Sequence, residues 1–191
     1  MKILIPQDAL NNILAIVSKA VSTKNSIPVL SGIYLSARDG KLTIRATDME
    51  LAIEAFTPCE VIDEGEVVLP ARYFTDLVRR IPFGNLEISV DYRNYVATLR
   101  WGKSQYVIHG FSADQFPSLP DMDGASTFTV RQVLFRDLLR QTTFAAGHDE
   151  SKPWLTGVLF KLRENQITGT ATDGVRIAYA ETSADNADGH S

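Results

Sequence analysis

The sequence is short of the residues that make cross-links, metal sites and membrane spans. It has one cysteine, Cys59, in 191 residues, so no disulfide can close within the chain. The three histidines, His109, His148 and His190, are scattered. His148-Asp149-Glu150 are adjacent, and adjacent side chains do not converge on one ion without a special loop, so no metal site is expected. Apolar runs such as residues 14–17 fall far below the roughly 20 residues of a bilayer span. No signal-peptide core opens the chain, and Asn-x-Ser/Thr never occurs. P-loop, G-x-G-x-x-G, H-E-x-x-H and C-x-x-C motifs are all missing. The expectation is a cytoplasmic protein with no membrane segment, no cofactor and no catalytic residues.

What is present reads as a folded α+β chain, with 45% apolar and 22% charged residues. A strand over 2–5 leads into a helix over 7–21, whose apolar face is Leu10, Ile13, Leu14, Val17 and Val21. Strands follow at 29–37 and 41–47 around Asp39-Gly40, a hairpin signal. Another strand covers 50–58, then an acidic loop over 63–66 and a strand over 67–70. A second helix over 71–81 turns Phe74, Leu77, Val78 and Ile81 to one side. Two or three strands fill 86–111, and the segment 112–124, with Pro117 and Pro120, reads as a linker.

After the linker the pattern restarts: a strand over 127–130, and a helix over 131–146 with Phe135, Leu138, Leu139 and Ala146 inward. Strands follow near 154–162, 166–172 and 175–181. A shift of 125 residues tests the restart. It lays Pro28 on Pro153, Leu30 on Leu155, Gly32 on Gly157, and Ala46-Thr47-Asp48 on Ala171-Thr172-Asp173. Eight of the 26 positions from Pro28 to Ile53 are identical without a gap, an internal repeat by the usual test. The second copy runs out where the first has reached Glu66, so it is expected to be truncated.

Charge is uneven. The net charge is −4, yet the three helices and their ends hold eight basic residues against three acidic, leaving eleven basic against twenty acidic elsewhere. The basic set is Lys19, Lys24, Arg72, Arg79, Arg80, Arg131, Arg136 and Arg140. On a helical wheel Lys19, Arg72, Arg79, Arg136 and Arg140 lie away from the apolar stripes. Solvated helix faces would explain one such helix; three of one sign suit a surface that meets phosphates without reading bases. Asp48 and Asp173 are the best carboxylates for catalysis, but each follows Ala-Thr at a strand end, where an aspartate caps a turn.

The residues in order resemble the bacterial sliding clamp family, the beta subunit of DNA polymerase III. The matching phrases are Ile27-Pro28-Val29-Leu30, Thr47-Asp48, Leu69-Pro70-Ala71-Arg72 with Phe74, and residues 114–120. In the second copy they are Leu155-Thr156-Gly157 and Ala171-Thr172-Asp173-Gly174-x-Arg176. The resemblance implies a DNA-clamp fold, with helices on one side of antiparallel sheets. It implies a complete domain at 1–120, the first half of a second at 121–191, and a third outside the sequence. It also implies a ring-shaped homodimer around double-stranded DNA that tethers the replicative polymerase, the clamp loader and other proteins with clamp-binding motifs. Such a subunit is an accessory of a nucleotidyltransferase, not itself an enzyme, and is nucleoid-associated. By the same resemblance Lys24, Arg72, His148, Asp149 and Lys152 fall on DNA-facing positions. Leu155, Thr172, Gly174, Val175, Arg176 and Ile177 fall on one wall of a peptide groove, with Val175 where many members have histidine. Tyr106 and Ile108 fall on the edge strand of the ring interface. Two other readings stand beside it: a free-standing regulator built of one and a half such folds, and a hydrolase using Asp48 and Asp173.

Overall fold

A computed structural model describes residues 1–22, 27–118 and 128–186. Strand β1 (Lys2–Pro6) alternates Ile3 and Ile5 inward and runs straight into helix α1 (Gln7–Val17). That helix buries Leu10, Ile13, Leu14 and Val17, and the exposed Asp8 sits in its positive first turn. It stops four residues before the sequence-derived end, tightening into a 3₁₀ turn over Ser18–Ala20. A second 3₁₀ turn, Pro28–Ser31, takes the place of the first residues assigned to a strand.

Strands β2 (Gly32–Arg38), β3 (Lys41–Thr47) and β4 (Ala52–Pro58) follow. Asp39 and Gly40 both have positive φ, 50° and 71°, as the tight turn of a hairpin requires. Strands β5 (Glu60–Asp63) and β6 (Gly65–Pro70) come next. β5 is not anticipated by the sequence pattern, and β6 begins inside the stretch expected as an acidic loop, which leaves only Glu64 between the two strands; the charged residues of β5 suit an exposed sheet edge, where alternation with apolar residues is not demanded. Helix α2 (Ala71–Arg80) buries Ala71, Phe74 and Val78. Strands β7 (Asn85–Asp91), β8 (Val96–Trp101) and β9 (Ser104–His109) complete the first unit, Met1–Pro120.

That unit holds two antiparallel sheets, ordered β5-β1-β7-β8-β9 and β4-β3-β2-β6. Both contribute to a core that includes Ile3, Ile5, Leu35, Ile44, Ile88 and Leu99. The two helices close the same core with Leu10, Leu14, Phe74 and Val78. Gln7 is buried at the start of α1, and its Nε2 donates to the Val78 carbonyl at 2.7 Å, tying α1 to α2. Both polar groups are thereby satisfied, as burial requires.

The second unit, Asp121–Ser191, is laid out on the same plan. It has strand β10 (Phe128–Thr129), helix α3 (Gln132–Thr142), a 3₁₀ turn over Thr143–Ala145 and another over Pro153–Leu155. Strands β11 (Leu159–Arg163), β12 (Gln166–Thr172), β13 (Ile177–Ser183) and β14 (Asp185–Asn186) follow. The 125-residue shift carries α1 onto α3, β3 onto β12 and β4 onto β13 without a change of bounds. It also carries pairings: Tyr34↔Arg45 becomes Leu159↔Thr170, and Leu4↔Glu60 becomes Thr129↔Asp185. β11 starts two residues late. Gly32 and Ile33, the missing positions, are held in the first unit by Pro70 and Leu69 of β6, and β11 has no such partner among the described residues. The helix ends earlier than its polar-apolar pattern suggested. Of its expected inward residues only Leu138 is buried, with Phe135, Leu139 and Ala146 half-buried.

Candidate nucleic-acid interface and peptide groove

The helices show how the charges are placed. Burying Phe74 and Val78 forces Arg72, Arg79 and Arg80 onto the exposed side of α2. Lys19 is exposed beyond the end of α1, and α1 packs beside α2. In the second unit Arg131, Arg136 and Arg140 are exposed around α3. Not all of this charge is free. Arg79 donates to Asp76 Oδ1 at 2.8 Å, one helical turn away, and Arg136 Nε lies 3.7 Å from Asp137 Oδ1. Arg72, Arg80 and Arg140 have no ion-pair partner among the described residues. Lys24 lies outside the described residues.

The loop after α3 exposes His148, Asp149 and Lys152 together. Asp149 is engaged within the turn itself. Its Oδ1 accepts the Ser151 amide at 3.0 Å and its carbonyl accepts the Lys152 amide at 3.0 Å. Hydrogen bonds from Ser151 hold the carboxyl below its ordinary range, so it stays anionic and shapes the turn that presents Lys152. Next to this turn Trp154 is 75% exposed. Sequence reasoning passed over it, although an aromatic beside Lys152-Pro153 is a signal for stacking on a base or a ligand.

The groove residues converge from two segments. Leu155 closes the 3₁₀ turn Pro153–Leu155, and its carbonyl accepts the Gly147 amide at 2.8 Å. A Cβ on Gly147 would lie 3.6 Å from Leu155 Cβ and 3.7 Å from Asp173 Cα, so this glycine is where the two segments meet. Asp173 Oδ1 accepts the amides of Val175 and Arg176, each at 3.0 Å, and its Oδ2 accepts Arg176 Nε at 2.9 Å. Thr172 Oγ1 donates to the Arg176 carbonyl at 2.7 Å and accepts the Gly174 amide at 3.1 Å. The turn is thus fully bonded. It leaves Val175 96% exposed and Ile177 exposed, with Arg176 over the Phe144 ring at 5.8 Å. Beside it a pocket of about 410 Å³ is lined by Trp154, Gly157, Val158, Leu159, Ala171 and Thr172.

Asp48 repeats the arrangement, accepting the Glu50 and Leu51 amides at 3.0 and 2.7 Å. In both aspartates those backbone donors hold the carboxyl below its ordinary range. Each is engaged in its own turn, which accounts for both without a reaction. Among the described residues no three metal-ligating side chains come together, and no helix is long and apolar enough to cross a membrane.

On the edge strand β9, Tyr106 is exposed and borders a pocket of about 270 Å³ with Tyr73, Asp76, Leu77 and Arg80. Ile108 lies on the same edge strand with its side chain buried in the core, so at this edge it offers a partner its backbone.

Residues 1–120 match the family described as DNA polymerase III beta subunit, N-terminal domain, and residues 129–191 match its central domain. The beta sliding clamp of Bacillus subtilis is 34% identical over 97% of this chain, and that of Halalkalibacterium halodurans is 36% identical over 90%. The crystal structure of the Bacillus subtilis clamp superposes with a TM-score of 0.90 at 33% identity, covering 97% of this chain and 50% of that one. For the Caulobacter crescentus clamp the TM-score is 0.89 at 29% identity, covering 99% and 52%. The chain spans about half the length of the curated relatives it matches, 51% and 47% in the two cases. With both segments matched along nearly their whole length, the chain belongs to the DNA polymerase III beta subunit family.

Proposed function

We propose that this chain serves in a sliding clamp, a non-catalytic processivity factor that encircles duplex DNA and tethers the replicative polymerase. Residues 1–120 form one whole clamp domain and residues 121–191 the first half of the next. The observation that carries the reading is the exposed basic residues of α2 and around α3, with Lys19 just past the end of α1, in an acidic chain. Contacts of that kind neutralise phosphates without selecting a sequence, and they are weak enough one by one to let DNA slide. The acidic remainder repels DNA and so orients it against the helices. Lys24, Arg72, Arg79, Arg136, Arg140, His148 and Lys152 make the contacts; Asp149 holds the loop in shape.

Leu155, Thr172, Gly174, Val175, Arg176 and Ile177 form one wall of a groove for polymerase, clamp loader and other proteins with clamp-binding motifs. The tether works by raising the partner's local concentration at the primer end. The β9 edge, with Tyr106, takes the neighbouring subunit of a ring-shaped homodimer. The setting is the cytoplasm, at the nucleoid.

Fluorescence anisotropy with two short duplexes of unrelated sequence tests the reading. The two should bind alike, and log affinity should fall linearly with log salt. Arg72→Glu, Arg136→Glu and Arg140→Glu together should weaken binding by about tenfold or more at low salt. Binding that discriminates between the duplexes, or that ignores salt, overturns it.

A further inference from the structure

The groove wall of the second unit has a counterpart in the first, and the two differ in charge. The shift that carries the first copy onto the second lays residues 47–52 on residues 172–177. Both turns are built by the same bonds, an aspartate Oδ1 accepting two amides and a threonine Oγ1 accepting a third, here the Met49 amide at 3.0 Å. In the first unit this turn borders a pocket of about 260 Å³, lined by Thr47, Met49, Leu51, Ala52 and Pro117 with Glu50 at the side. That is just below the range of about 300–1,000 Å³ typical of small-molecule sites, and it suits one bulky apolar side chain. Met49 and Leu51 are 63% and 49% exposed, so the apolar lining is open. A methionine there can repack around different anchors.

We propose that this pocket is a second docking site, for a peptide segment with one bulky apolar anchor followed by lysine or arginine. The proposal rests on the groove reading of residues 172–177. Charge selects the occupant. Among the described residues no lysine or arginine lines the pocket, and Glu50 is the one ionised lining group. Asp48, next in the turn, is kept anionic by its two amide donors. Arg45, on the preceding strand, is already committed: it pairs with Glu54 and lies over the Tyr34 ring at 5.4 Å. The second-unit turn has Val175 and Arg176 where the first has Glu50 and Leu51. The two sites therefore prefer different flanks on similar anchors.

The test is an amide-shift titration of the isotopically labelled full chain with two probes, acetyl-Leu-Phe-Lys-Lys-amide and acetyl-Leu-Phe-Glu-Glu-amide. The basic probe should move the amides of residues 47–52 and bind there about tenfold tighter than its acidic twin. Glu50→Lys, an exposed change at a side chain that makes none of the turn's hydrogen bonds, should abolish that preference, and Leu51→Asp should abolish binding at this site. Equal shifts from both probes, or a Glu50→Lys variant that keeps the preference, overturn the proposal. Shifts at 172–177 with none at 47–52 overturn it while leaving the groove reading intact; shifts at neither place overturn both. Concentration-dependent shifts at 47–52 without peptide assign the pocket to a second copy and also overturn it.

Discussion

Leu35 in β2 and Phe160 in β11 occupy the same place in the two copies, yet Leu35 is fully buried and Phe160 is 39% exposed. The local structure around them is the same, with identical registers to the next strand. What differs is the neighbours. Leu35 has β6 on the far side of its strand and α2 above its sheet, while β11 pairs only with β12 among the described residues. The second unit's buried apolar residues are accordingly few and mostly small, Leu138 and Ile167 with Ala145, Ala171, Ala178, Ala180 and Ala184. Leu159, Ile177 and Tyr179 stay exposed. Secondary structure and pairing can thus be complete in a copy whose core is not, because strands answer to local pattern and burial answers to what packs on top.

Truncating the two equivalent side chains tests that contrast most severely. Leu35→Ala should cost about 3 kcal/mol, as for a filled core position. Phe160→Ala should cost about 1 kcal/mol or less, since most of its burial is missing. Denaturant titration with separate reporters for the two units measures both. Equal costs would show that β11 is covered in solution. The exposed strand also predicts association, because open edges and apolar patches recruit other copies. Light scattering over a concentration series should show the apparent mass rising, and Leu159→Lys should suppress the rise.

Gln7 and Gln132 sharpen the same comparison. Gln7 is buried against α2, whereas Gln132, its counterpart at the start of α3, is exposed. Gln7→Ala removes the 2.7 Å donor of the Val78 carbonyl and leaves it only the Ile81 amide at 3.3 Å, which should cost about 1 kcal/mol. Gln132→Ala should stay within about 0.5 kcal/mol.

Much of this was legible in the residues, and the reasons are physical. α1 could be read because its burial alternates at helical spacing, and β3 because it alternates at two. The repeat could be read because its identities fall at Pro28, Gly32 and Asp48, where backbone geometry restricts the choice. β5 and β14 could not. Each holds its place by backbone pairing with a strand more than fifty residues away, and β5 is charged enough to look like a loop. The burial of Ile108 was hidden for a related reason: an edge strand offers its backbone to a partner while its side chains can still point into the core. The groove turn was legible as a contiguous phrase, but its meeting with Leu155 at Gly147 depends on how the loop after α3 folds back. Trp154 needed the structure to show that its ring is uncovered.

Acid should affect the two turns in one direction and to different degrees. Asp48 and Asp173 both have folded pKa values below the ordinary carboxylate value, through the amides they accept. Stability from such a group is fully present above the unfolded value, about 3.9, and is lost as pH falls through the folded one. Asp48→Asn and Asp173→Asn should therefore flatten the acid limb of the stability profile. Added salt should raise the Asp173 midpoint more than that of Asp48, because only Asp173 also faces a cation, Arg176. Carboxyl chemical shifts against pH give both midpoints, and a salt response that is the same at the two would remove the Arg176 contribution.

A small pair of opposed effects comes from one backbone angle. Met49 and Gly174 are equivalent positions, and both have positive φ, 79° and 92°. Glycine takes that conformation without steric cost, while a side chain brings its Cβ close to the carbonyl. Nothing lies within 4 Å of where a Cβ on Gly174 would be, so crowding by neighbours does not enter. Gly174→Ala should then cost about 1 kcal/mol from the backbone alone. Met49→Gly relieves the strain in the first copy but frees the unfolded chain, which offsets most of the gain. A net stabilisation of about 0.5 kcal/mol or less is expected. Equilibrium denaturation of the two variants side by side measures both signs. If Met49→Gly instead destabilises, the methionine side chain contributes packing at the rim of its pocket that outweighs its backbone strain, and the two turns are equivalent in hydrogen bonding only.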